Sequence, residues 1–308
     1  MSAVDGVLVV DKPEGPTSHD IVAVARRALG VRAIGHAGTL DPMATGVLVL
    51  VIGRATRLAQ FMSAHEKTYE ATIRLGMATD TWDRTGVLVG EVTADANLPG
   101  PAEVEAALQA FLGPQDQTPP RFSAKKIDGV RAHVLARRGR PVTVRTARVV
   151  VHELEVVRAG APLVDIRVRC SAGFYVRALA EDLGRRLGCG GCLERLRRTE
   201  SGRFSLEDAV PLDWLSAQPA RALARLVPLE GLLAEHPAIV LNEEGLRRAL
   251  HGNDIGPGDV AARHASPVQD AAAATGAVIR LLAPDGTLVG IARPSDRPGV
   301  LHPVVVLK

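Results

Sequence analysis

The 308-residue sequence predicts an α+β fold built on a mixed, largely antiparallel sheet, with a small β-rich domain at its C-terminal end. Several apolar runs of strand length follow one another without an intervening helix, whereas others are separated by segments with the period of an amphipathic helix. Near the C-terminus, an Asp-Gly turn joins two apolar runs, which is typical of a hairpin. The apolar share of 46% and the charged share of 23% are those of an ordinary globular protein.

The first part of the chain alternates short strands with helices. Pro/Gly-rich turns interrupt the apolar runs, and a Thr-Ser pair followed by periodic apolar residues is a helix-start signal that Gly30 closes. We predict a strand at 6–10, a helix that begins at Thr17 or Ser18, a buried strand at 47–52, a short helix from 54 to 61, and a strand at 68–75.

The remaining elements follow from the same patterns. We predict strands at 87–92, 147–157 and 163–170, helices at 101–112 and 174–187, a hairpin of 278–282 with 287–292, and a last strand at 303–307. A Pro/Ala-rich stretch from 211 to 236 reads as a boundary, so we expect one domain at 1–235 and a second at 236–308. The Ala- and turn-rich segment 256–276 has the composition of a mobile loop.

Targeting and cofactor signals are scarce. No run reaches the roughly 18 unbroken apolar residues of a membrane span, and the N-terminus has no basic, signal-like region. We therefore expect a cytoplasmic protein. Cys189 and Cys192 form a C-x-x-C pair, but no second pair completes a zinc site, and incidental thiols at a Gly-rich helix end are the simpler interpretation. Phosphate-loop and dinucleotide motifs are missing, so no cofactor and no metal are expected.

Positive charge is concentrated in residues 121–148. This segment holds nine Lys or Arg against one acid, a net charge of +8, whereas the whole chain carries only +3. A basic cluster is often only a solvated surface. Its concentration in one segment, however, favours contacts with the phosphate backbone of a nucleic acid.

One stretch, residues 35–48, has the strongest functional signal. It reads G-H-A-G-T-L-D-P-M-A-T-G-V-L and leads into the buried strand. Asp41 is its only carboxylate, and glycines and Pro42 restrict the chain on both sides. An acid before a proline is commonly an Asx turn. The density of restricted residues around this one favours a carboxylate that is held in place for catalysis.

The stretch closely resembles the signature of the TruB family of tRNA pseudouridine-55 synthases. In that family the Asp of the G-T-L-D-P run is catalytic, which implies that Asp41 is the catalytic residue here. The resemblance extends over about residues 5–205 and implies the pseudouridine synthase fold with a thumb insertion at 121–148. It also implies that the C-terminal part is a PUA-like domain.

The same resemblance implies a set of substrate contacts. His36 would stack within the RNA where the flipped base had been, and Tyr69, in a K-x-Y segment, would stack on the target uracil. Tyr175 and Arg177 match a G-x-Y-[IV]-R motif, in which the Tyr contacts substrate and the Arg pairs with the catalytic Asp. Leu196 matches a substrate-contacting Leu before an Arg pair.

The basic segment resembles the RNA-gripping thumb of the family. It implies that Lys125, Lys126 and Arg131 contact the RNA backbone. The segment departs from the family pattern at Phe122, Lys125 and His133, where Tyr, Leu and Tyr are commoner, and Arg57 stands where Lys is usual.

Together these features predict an isomerase that converts uridine to pseudouridine at position 55 in the T loop of tRNAs. We expect the tRNA T stem-loop as its partner, with no guide RNA, no obligate protein partner and no membrane. Asp41 would act as a nucleophile or as a base, and the sequence leaves both roles open. Two alternatives are a guide-RNA-dependent enzyme of the dyskerin branch and an RNA-binding or RNA-folding protein without catalysis.

Overall fold

The computed structural model describes residues 4–123, 125–127, 130–131, 135, 145–261 and 276–308. The described helices are α1 (Ser18–Leu29), α2 (Ala59–Ser63), α3 (Pro101–Gln109), α4 (Val176–Arg186), α5 (Leu212–Ala217), α6 (Pro219–Leu223) and α7 (Glu243–Leu250). None of them is both long enough and apolar enough to cross a membrane.

The described strands before the C-terminal part are β1 (Gly6–Lys12), β2 (Ile34–His36), β3 (Thr45–Ile52), β4 (Lys67–Leu75), β5 (Gly113–Gln117), β6 (Lys126–Ile127), β7 (Val130–Arg131), β8 (Ala147–Gly160), β9 (Leu163–Cys170), β10 (Gly191–Ser201), β11 (Phe204–Ser205), β12 (Val210–Pro211) and β13 (Val227–Pro228). The strands of the C-terminal part are β14 (Ala238–Val240), β15 (Ile279–Leu282), β16 (Leu288–Pro294) and β17 (Leu301–Val306).

Among the described residues, eleven strands form one mixed sheet, in the order β12-β1-β3-β10-β4-β9-β8-β5. Strands β13, β2 and β11 join this sheet beside β1, β3 and β10. The pairs β1–β12 and β3–β10 are parallel, and the other pairs are antiparallel. The predicted α+β class with a mixed, largely antiparallel sheet is confirmed.

Strand β3 lies inside the sheet and is buried on both faces. Val47, Val49 and Val51 belong to one apolar cluster, and the alternate residues Leu48 and Leu50 belong to another. A strand that is covered on both faces reads as an unbroken apolar run rather than an alternating one. This double burial explains why its position was clear from the sequence.

Helix α1 begins and ends where the sequence predicted. Thr17 is the N-cap and forms a capping box with Asp20, and Gly30 is the C-cap in a left-handed conformation with φ of 66°. Ile21 and Val22 on its inner face are buried against the sheet. The helix therefore has a fixed N-terminal turn, from which Ser18 points into the protein.

One predicted strand is wrong, and one strand of the sheet was not predicted. Residues 87–92 are not a strand: Leu88 makes only an isolated bridge to Thr79, and the Val87 and Val92 side chains are 73% and 60% exposed. Their β-branched content indicated a strand, but no neighbouring strand covers them. Conversely, β10 was not predicted, although it lies between β3 and β4 in the sheet.

The C-terminal strands form a separate sheet in the order β14-β15-β16-β17, with the predicted Asp285-Gly286 turn between β15 and β16. Leu288, Ile291 and Val305 of this sheet share an apolar cluster with Val7 and Val49 of the large sheet. The β-rich character of this part is confirmed. The domain division at 235/236 stays a prediction, and most of the predicted mobile loop at 256–276 lies outside the described residues.

Candidate functional site

Asp41 lies in the loop between β2 and β3, which we call the Asp41 loop (residues 37–44). Its ends are fixed by main-chain hydrogen bonds from Ala37 to Val49 (2.9 Å) and from Ala44 to Asp41 (3.0 Å). Directly after the loop, Gly46 has φ of +100°, and a Cβ there would lie 2.2 Å from the carbonyl oxygen of Arg198. Only glycine allows β3 and β10 to approach so closely at the mouth of the loop.

The buried side chain of Arg198 in β10 binds main-chain carbonyl groups at the start of the Asp41 loop and just after its end. Its guanidinium donates to the carbonyl oxygens of Val47 (2.8 Å) and Gly38 (3.1 Å). Its side chain is 1% exposed, so these carbonyl groups are bound by protein rather than by bulk water. Because buried polar groups need partners, removing this side chain would leave the loop backbone unsatisfied.

The second half of the loop is held by Lys12 and Ser18. The Lys12 ammonium donates to the carbonyl oxygens of Ala44 (2.6 Å) and Pro42 (3.2 Å). The Ser18 hydroxyl accepts from the Leu40 amide (2.9 Å) and is within 3.0 Å of the Leu40 carbonyl oxygen, to which it donates. Burial lowers the pKa of Lys12 to about 8. The loop is therefore fixed at both ends and in its middle.

The Asp41 carboxylate is bound by Arg177, near the start of α4. Arg177 Nε lies 2.9 Å from Asp41 Oδ2, and Nη2 donates to Oδ1 at 3.1 Å. Arg177 is buried and also donates to the carbonyl oxygens of Thr81 (3.1 Å) and Phe122 (2.9 Å). Its Nη1 lies 3.7 Å from Asp83 Oδ2. One guanidinium therefore faces two carboxylates, and its position is fixed by main-chain contacts.

Asp83 is a residue of the site that the sequence analysis missed. It is buried, and its Oδ1 accepts hydrogen bonds from the Thr81 hydroxyl (2.9 Å) and from the amide and hydroxyl of Thr85 (2.9 and 2.6 Å). The dense Thr and Asp residues of T-D-T-W-D-R-T were the available signal, since short polar side chains that bond each other fix a loop. Lys12 was missed as well, and Arg198 was noted only as part of the Arg pair after Leu196, without a role of its own.

The environment of Asp41 shifts its protonation equilibrium. Burial raises the pKa of Asp41 above its ordinary value, and the nearby Asp83 carboxylate adds to this. The charges of Arg177 and Lys12 oppose the shift. About one third of the Asp41 side chain, 32%, remains exposed, so a ligand in the cleft can reach the carboxylate.

Two cavities meet at Asp41. The first, which we call the tyrosine cavity, has a volume of about 220 Å³ and is lined by Asp41, Tyr69, Tyr175 and Leu196 among others. This volume is about seven times the share of one water molecule in the liquid, ~30 Å³, and is enough for a single planar base. With Arg177, which also lines this cavity, five of the residues implied by the family resemblance surround one small space.

The second cavity, the histidine cavity, has a volume of about 440 Å³. His36 lines it together with Asp41, Asp83 and Arg177. His36 does not line the tyrosine cavity, whereas Asp41 and Arg177 line both cavities. If one base of an RNA occupied the tyrosine cavity, the histidine cavity would remain available to the adjacent nucleotides.

The two tyrosines are fixed by different elements. Tyr69 in β4 lies opposite Arg198 in β10, and burial raises the pKa of its phenol, against the effect of the nearby Arg198. Tyr175 is the N-cap of α4, and the side chain of Gln117 accepts from its amide (2.8 Å) and donates to its carbonyl oxygen (3.1 Å). Lys67 also lines the tyrosine cavity, and burial lowers its pKa to about 8.

The basic segment is only partly described. Lys125 is described, and the backbones of Lys126 and Arg131 pair across the β6–β7 hairpin. The side chains of Lys126 and Arg131, and residues 124, 128–129, 132–134 and 136–144, lie outside the described residues. The predicted RNA-backbone contacts of Lys125, Lys126 and Arg131 therefore stay predictions.

Family models match most of the first 234 residues. Residues 26–176 match the model described as TruB family pseudouridylate synthase (N terminal domain). Residues 177–234 match the model of the tRNA pseudouridylate synthase B C-terminal domain. The second match ends before β14, so it covers α4, the strands β10 to β13 and the segment after them rather than the C-terminal sheet.

Several curated relatives share high identity with the chain. A tRNA pseudouridine synthase B of Thermobifida fusca is 44% identical over 311 residues, covering 98% of each chain. Its counterpart of Opitutus terrae is 47% identical over 230 residues, covering 73% of this chain and 93% of that one. Another, of Solibacter usitatus, is 40% identical and covers 98% of this chain and all of that one.

Solved structures with lower identity have the same fold. A Cbf5-Nop10-Gar1 complex contains a chain with a TM-score of 0.72 and 24% identity, covering 99% of this chain and 85% of that one. A chain of an H/ACA RNP bound to a substrate RNA containing 2′-deoxyuridine has a TM-score of 0.70, 23% identity, and coverage of 99% and 86%. These similarities extend the shared fold through the C-terminal sheet.

Proposed function

Since this chain belongs to the TruB family of pseudouridylate synthases, we propose that it converts the uridine at position 55 in the T loop of tRNAs to pseudouridine, with Asp41 as the essential carboxylate. The chain is a tRNA pseudouridine synthase, as its relatives at 40–47% identity are named. The proposal adds the position within the tRNA and the residue that carries the reaction.

The reaction is an isomerisation that balances without a cofactor. The bond between N1 of uracil and C1′ of ribose breaks, the base rotates, and C5 joins C1′. The C5 proton leaves, and N1 takes up a proton. The protein therefore has to extract the base from the RNA, hold it while it is detached, and supply one carboxylate that starts the reaction.

The observation that carries the proposal is the Asp41 carboxylate at the edge of the tyrosine cavity, held by a buried Arg177. Tyr69 offers a ring for stacking on the base, and Tyr175 and Leu196 line the same space. In the ionised form, Asp41 either attacks the nucleotide covalently or abstracts a proton from the ribose. The Arg177 charge favours that ionised form against the effect of burial.

His36 and the basic segment supply contacts outside the reacting base in this proposal. His36 lines the histidine cavity and would stack in the gap that the flipped base leaves. Lys125, Lys126 and Arg131 would grip phosphates of the T stem-loop. The enzyme would act in the cytoplasm, without guide RNA or an obligate protein partner.

A single assay tests these statements. Purified protein is incubated with an unmodified tRNA transcript, without cofactor or guide RNA, and pseudouridine is mapped along the RNA. Pseudouridine at position 55 alone is the expected result, and a transcript with cytidine at that position is the control. Modification elsewhere in the tRNA would contradict the proposed position, and dependence on an added RNA would favour a guided enzyme.

A further inference from the structure

Away from the catalytic cleft, three ligand-type side chains converge where the C-terminal part joins the rest of the chain. His65 lies between α2 and β4, and Glu235 and His236 lie just before β14. One ligand atom from each residue lies within 4.8 Å of the other two. Among the described residues, this is the one group of three or more His, Cys, Asp or Glu side chains with such spacing.

The distances in this group fit a small metal ion. His65 Nε2 lies 3.1 Å from Glu235 Oε1, and His236 Nε2 lies 3.8 Å from the same oxygen. Zinc bonds of about 2.0–2.2 Å at tetrahedral angles separate two ligand atoms by roughly 3.3 Å. These two separations lie on either side of this value, and all three ligand atoms lie within 4.8 Å of one another, so the group has the spacing of a metal site.

The His65 ring is held in place before any ion binds. A Cβ on Gly202 would lie 2.3 Å from Nδ1 of His65, so the glycine backbone packs directly against the ring. His65 Nε2 is buried and makes no hydrogen bond of its own, although Glu235 is close. A metal ion between this nitrogen and Glu235 would bind both directly.

We propose that His65, Glu235 and His236 bind one divalent transition-metal ion, with zinc as the ion that their two imidazoles and one carboxylate suit best. Such a set of three protein ligands leaves a fourth position for water. The side chains are 20%, 45% and 29% exposed, so the ion has a route from solvent.

The ion would connect two parts of the chain. The His236 carbonyl oxygen accepts from Arg280 in β15 (3.2 Å), which ties the second histidine to the C-terminal sheet. On the other side, Lys67 in β4 donates to the His65 carbonyl oxygen (2.5 Å). The metal would therefore fasten the segment leading into the C-terminal sheet to the start of β4. This role is independent of the proposed catalytic function.

The charges around the group are compatible with this ion. The Glu235 carboxylate offsets part of the charge of the ion.

Metal binding to the full-length protein tests the proposal. Protein stripped with a chelator is titrated with zinc against a coloured competitor, and melting temperature is followed with and without zinc. One zinc per chain with about micromolar or tighter affinity, and a melting temperature higher by several degrees, are expected.

His65→Gln and His236→Gln should each weaken binding by at least about 100-fold, and Glu235→Gln by at least about tenfold. His251→Gln, an exposed histidine at the end of α7, is the matched control.

Cobalt gives a second measurement that needs no variant. Cobalt bound at this site should show weak visible bands without the thiolate charge-transfer band that Cys189 or Cys192 would produce. No stoichiometric zinc binding by the wild type would overturn the proposal, leaving the three side chains as an ion-pair cluster. A thiolate band, or binding that survives in both histidine variants, would overturn it as well, because the ion would then lie elsewhere.

Discussion

Arg177 and Arg198 reach the same loop from different elements and treat it differently. Arg177, from helix α4, binds the Asp41 carboxylate and faces Asp83. Arg198, from strand β10, binds the loop main chain at Gly38 and next to it at Val47. Both side chains are almost fully buried, with exposed fractions of 4% and 1%. Burial alone therefore does not distinguish the arginine that tunes the acid from the one that positions it.

The difference lies in the partner of each guanidinium. A cation beside a carboxylate changes the protonation equilibrium of that acid, whereas a cation beside carbonyl oxygens satisfies dipoles that would otherwise be buried and unpaired. We call the contact of Arg177 with the Asp41 carboxylate the α4 side of the loop, and the contacts of Arg198 with the main chain the β10 side. The α4 side should consequently govern rate and pH dependence. The β10 side should govern stability, and rate only through the position of the loop.

The largest effect is expected at the carboxylate between the two sides. Asp41→Asn should lower turnover by about 10³-fold or more, because the amide can neither attack nor accept a proton. Tritium released from tRNA labelled at C5 of uridine measures the rate, since that proton leaves in the reaction. Unfolding and tRNA affinity should barely change. Asp11→Asn, which removes a half-exposed partner of Arg197 outside the cleft, is the control. Retention of more than a few per cent of activity by Asp41→Asn would contradict the assignment.

Arg177→Met tests the α4 side, and we expect about 10²-fold slower turnover with tRNA affinity nearly unchanged. Burial already raises the pKa of Asp41, and Arg177 opposes this, so its removal should raise that pKa further. If Asp41 acts ionised, activity is lost as pH falls through its pKa, and the acidic limb of kcat should move to higher pH. Arg185→Met, an exposed arginine of the same helix, should leave the pH profile in place. If the acidic limb of the kcat profile did not shift in Arg177→Met, Arg177 would not control the protonation of Asp41, and it would not differ from Arg198 in this respect.

Arg198→Met tests the β10 side. Its loss leaves buried carbonyl groups without donors, and we expect the free energy of unfolding to fall by about 2–4 kcal/mol. Turnover should fall about tenfold through displacement of the loop, without a shift of the acidic limb. Urea denaturation and the same pH series measure the two quantities. Arg195→Met, an exposed arginine of the same strand, provides the matched comparison. A stability equal to wild type would mean that the guanidinium does not hold the loop.

Neither side of the Asp41 loop should carry the tRNA affinity, which we assign to the basic segment. Neutralising Lys125, Lys126 and Arg131 together should weaken every tRNA about equally. The slope of log affinity against log salt should flatten by roughly 0.7–0.9 per lost phosphate contact. Melting temperature should stay within about a degree or two, since exposed charges add little to stability. An unchanged salt slope, or a much earlier melt, would remove the segment from the RNA interface.

The smallest effect is expected from Tyr69→Phe. No hydrogen bond joins the Tyr69 hydroxyl to Asp41 among the described residues, and in Tyr69→Phe the ring remains available to stack on a base. Turnover should therefore change by less than about threefold, with a modest loss of stability, while Tyr69→Leu should slow the reaction strongly. A large loss of kcat in Tyr69→Phe would mean that the β10 side also takes part in the chemistry.

Sequence patterns correctly predicted those helices and strands that are determined by residues close together in the chain. The cap and end of α1 depend on residues within one turn, and β3 was visible because burial on both faces demands apolar residues throughout. Residues 87–92 have similar β-branched content, but no strand lies beside them, so that prediction was wrong. Strand propensity does not reveal whether a partner exists.

The site was predictable only where a motif carried it. Asp41 and Arg177 were identified through the family signature, although 136 positions separate them in the chain. Arg197 and Arg198 were noted only as the Arg pair that follows Leu196 in the family pattern, yet Arg197 pairs with Asp11 and Arg198 is buried among carbonyl groups. Asp83 and Lys12 were missed because their partners are distant in sequence or belong to the main chain. The pattern of charges in the sequence alone cannot distinguish an arginine that binds phosphate from one that binds groups inside the protein.

The partners of the Asp41 loop also determine when it can take shape during synthesis. Lys12 and Ser18 emerge from the ribosome before the loop does, but Arg198 follows Val47 by 151 residues, and Arg177 follows Asp41 by 136. Contacts of such long range form late because the intervening chain must first be ordered. A nascent chain that ends before β10 has the whole G-T-L-D-P run and can pair Gly46 with Lys12 of β1, but it lacks both Arg198 and the strand β10 on the other side of Gly46. The set of side chains that holds the Asp41 loop is therefore complete only after about two thirds of the polypeptide has been translated.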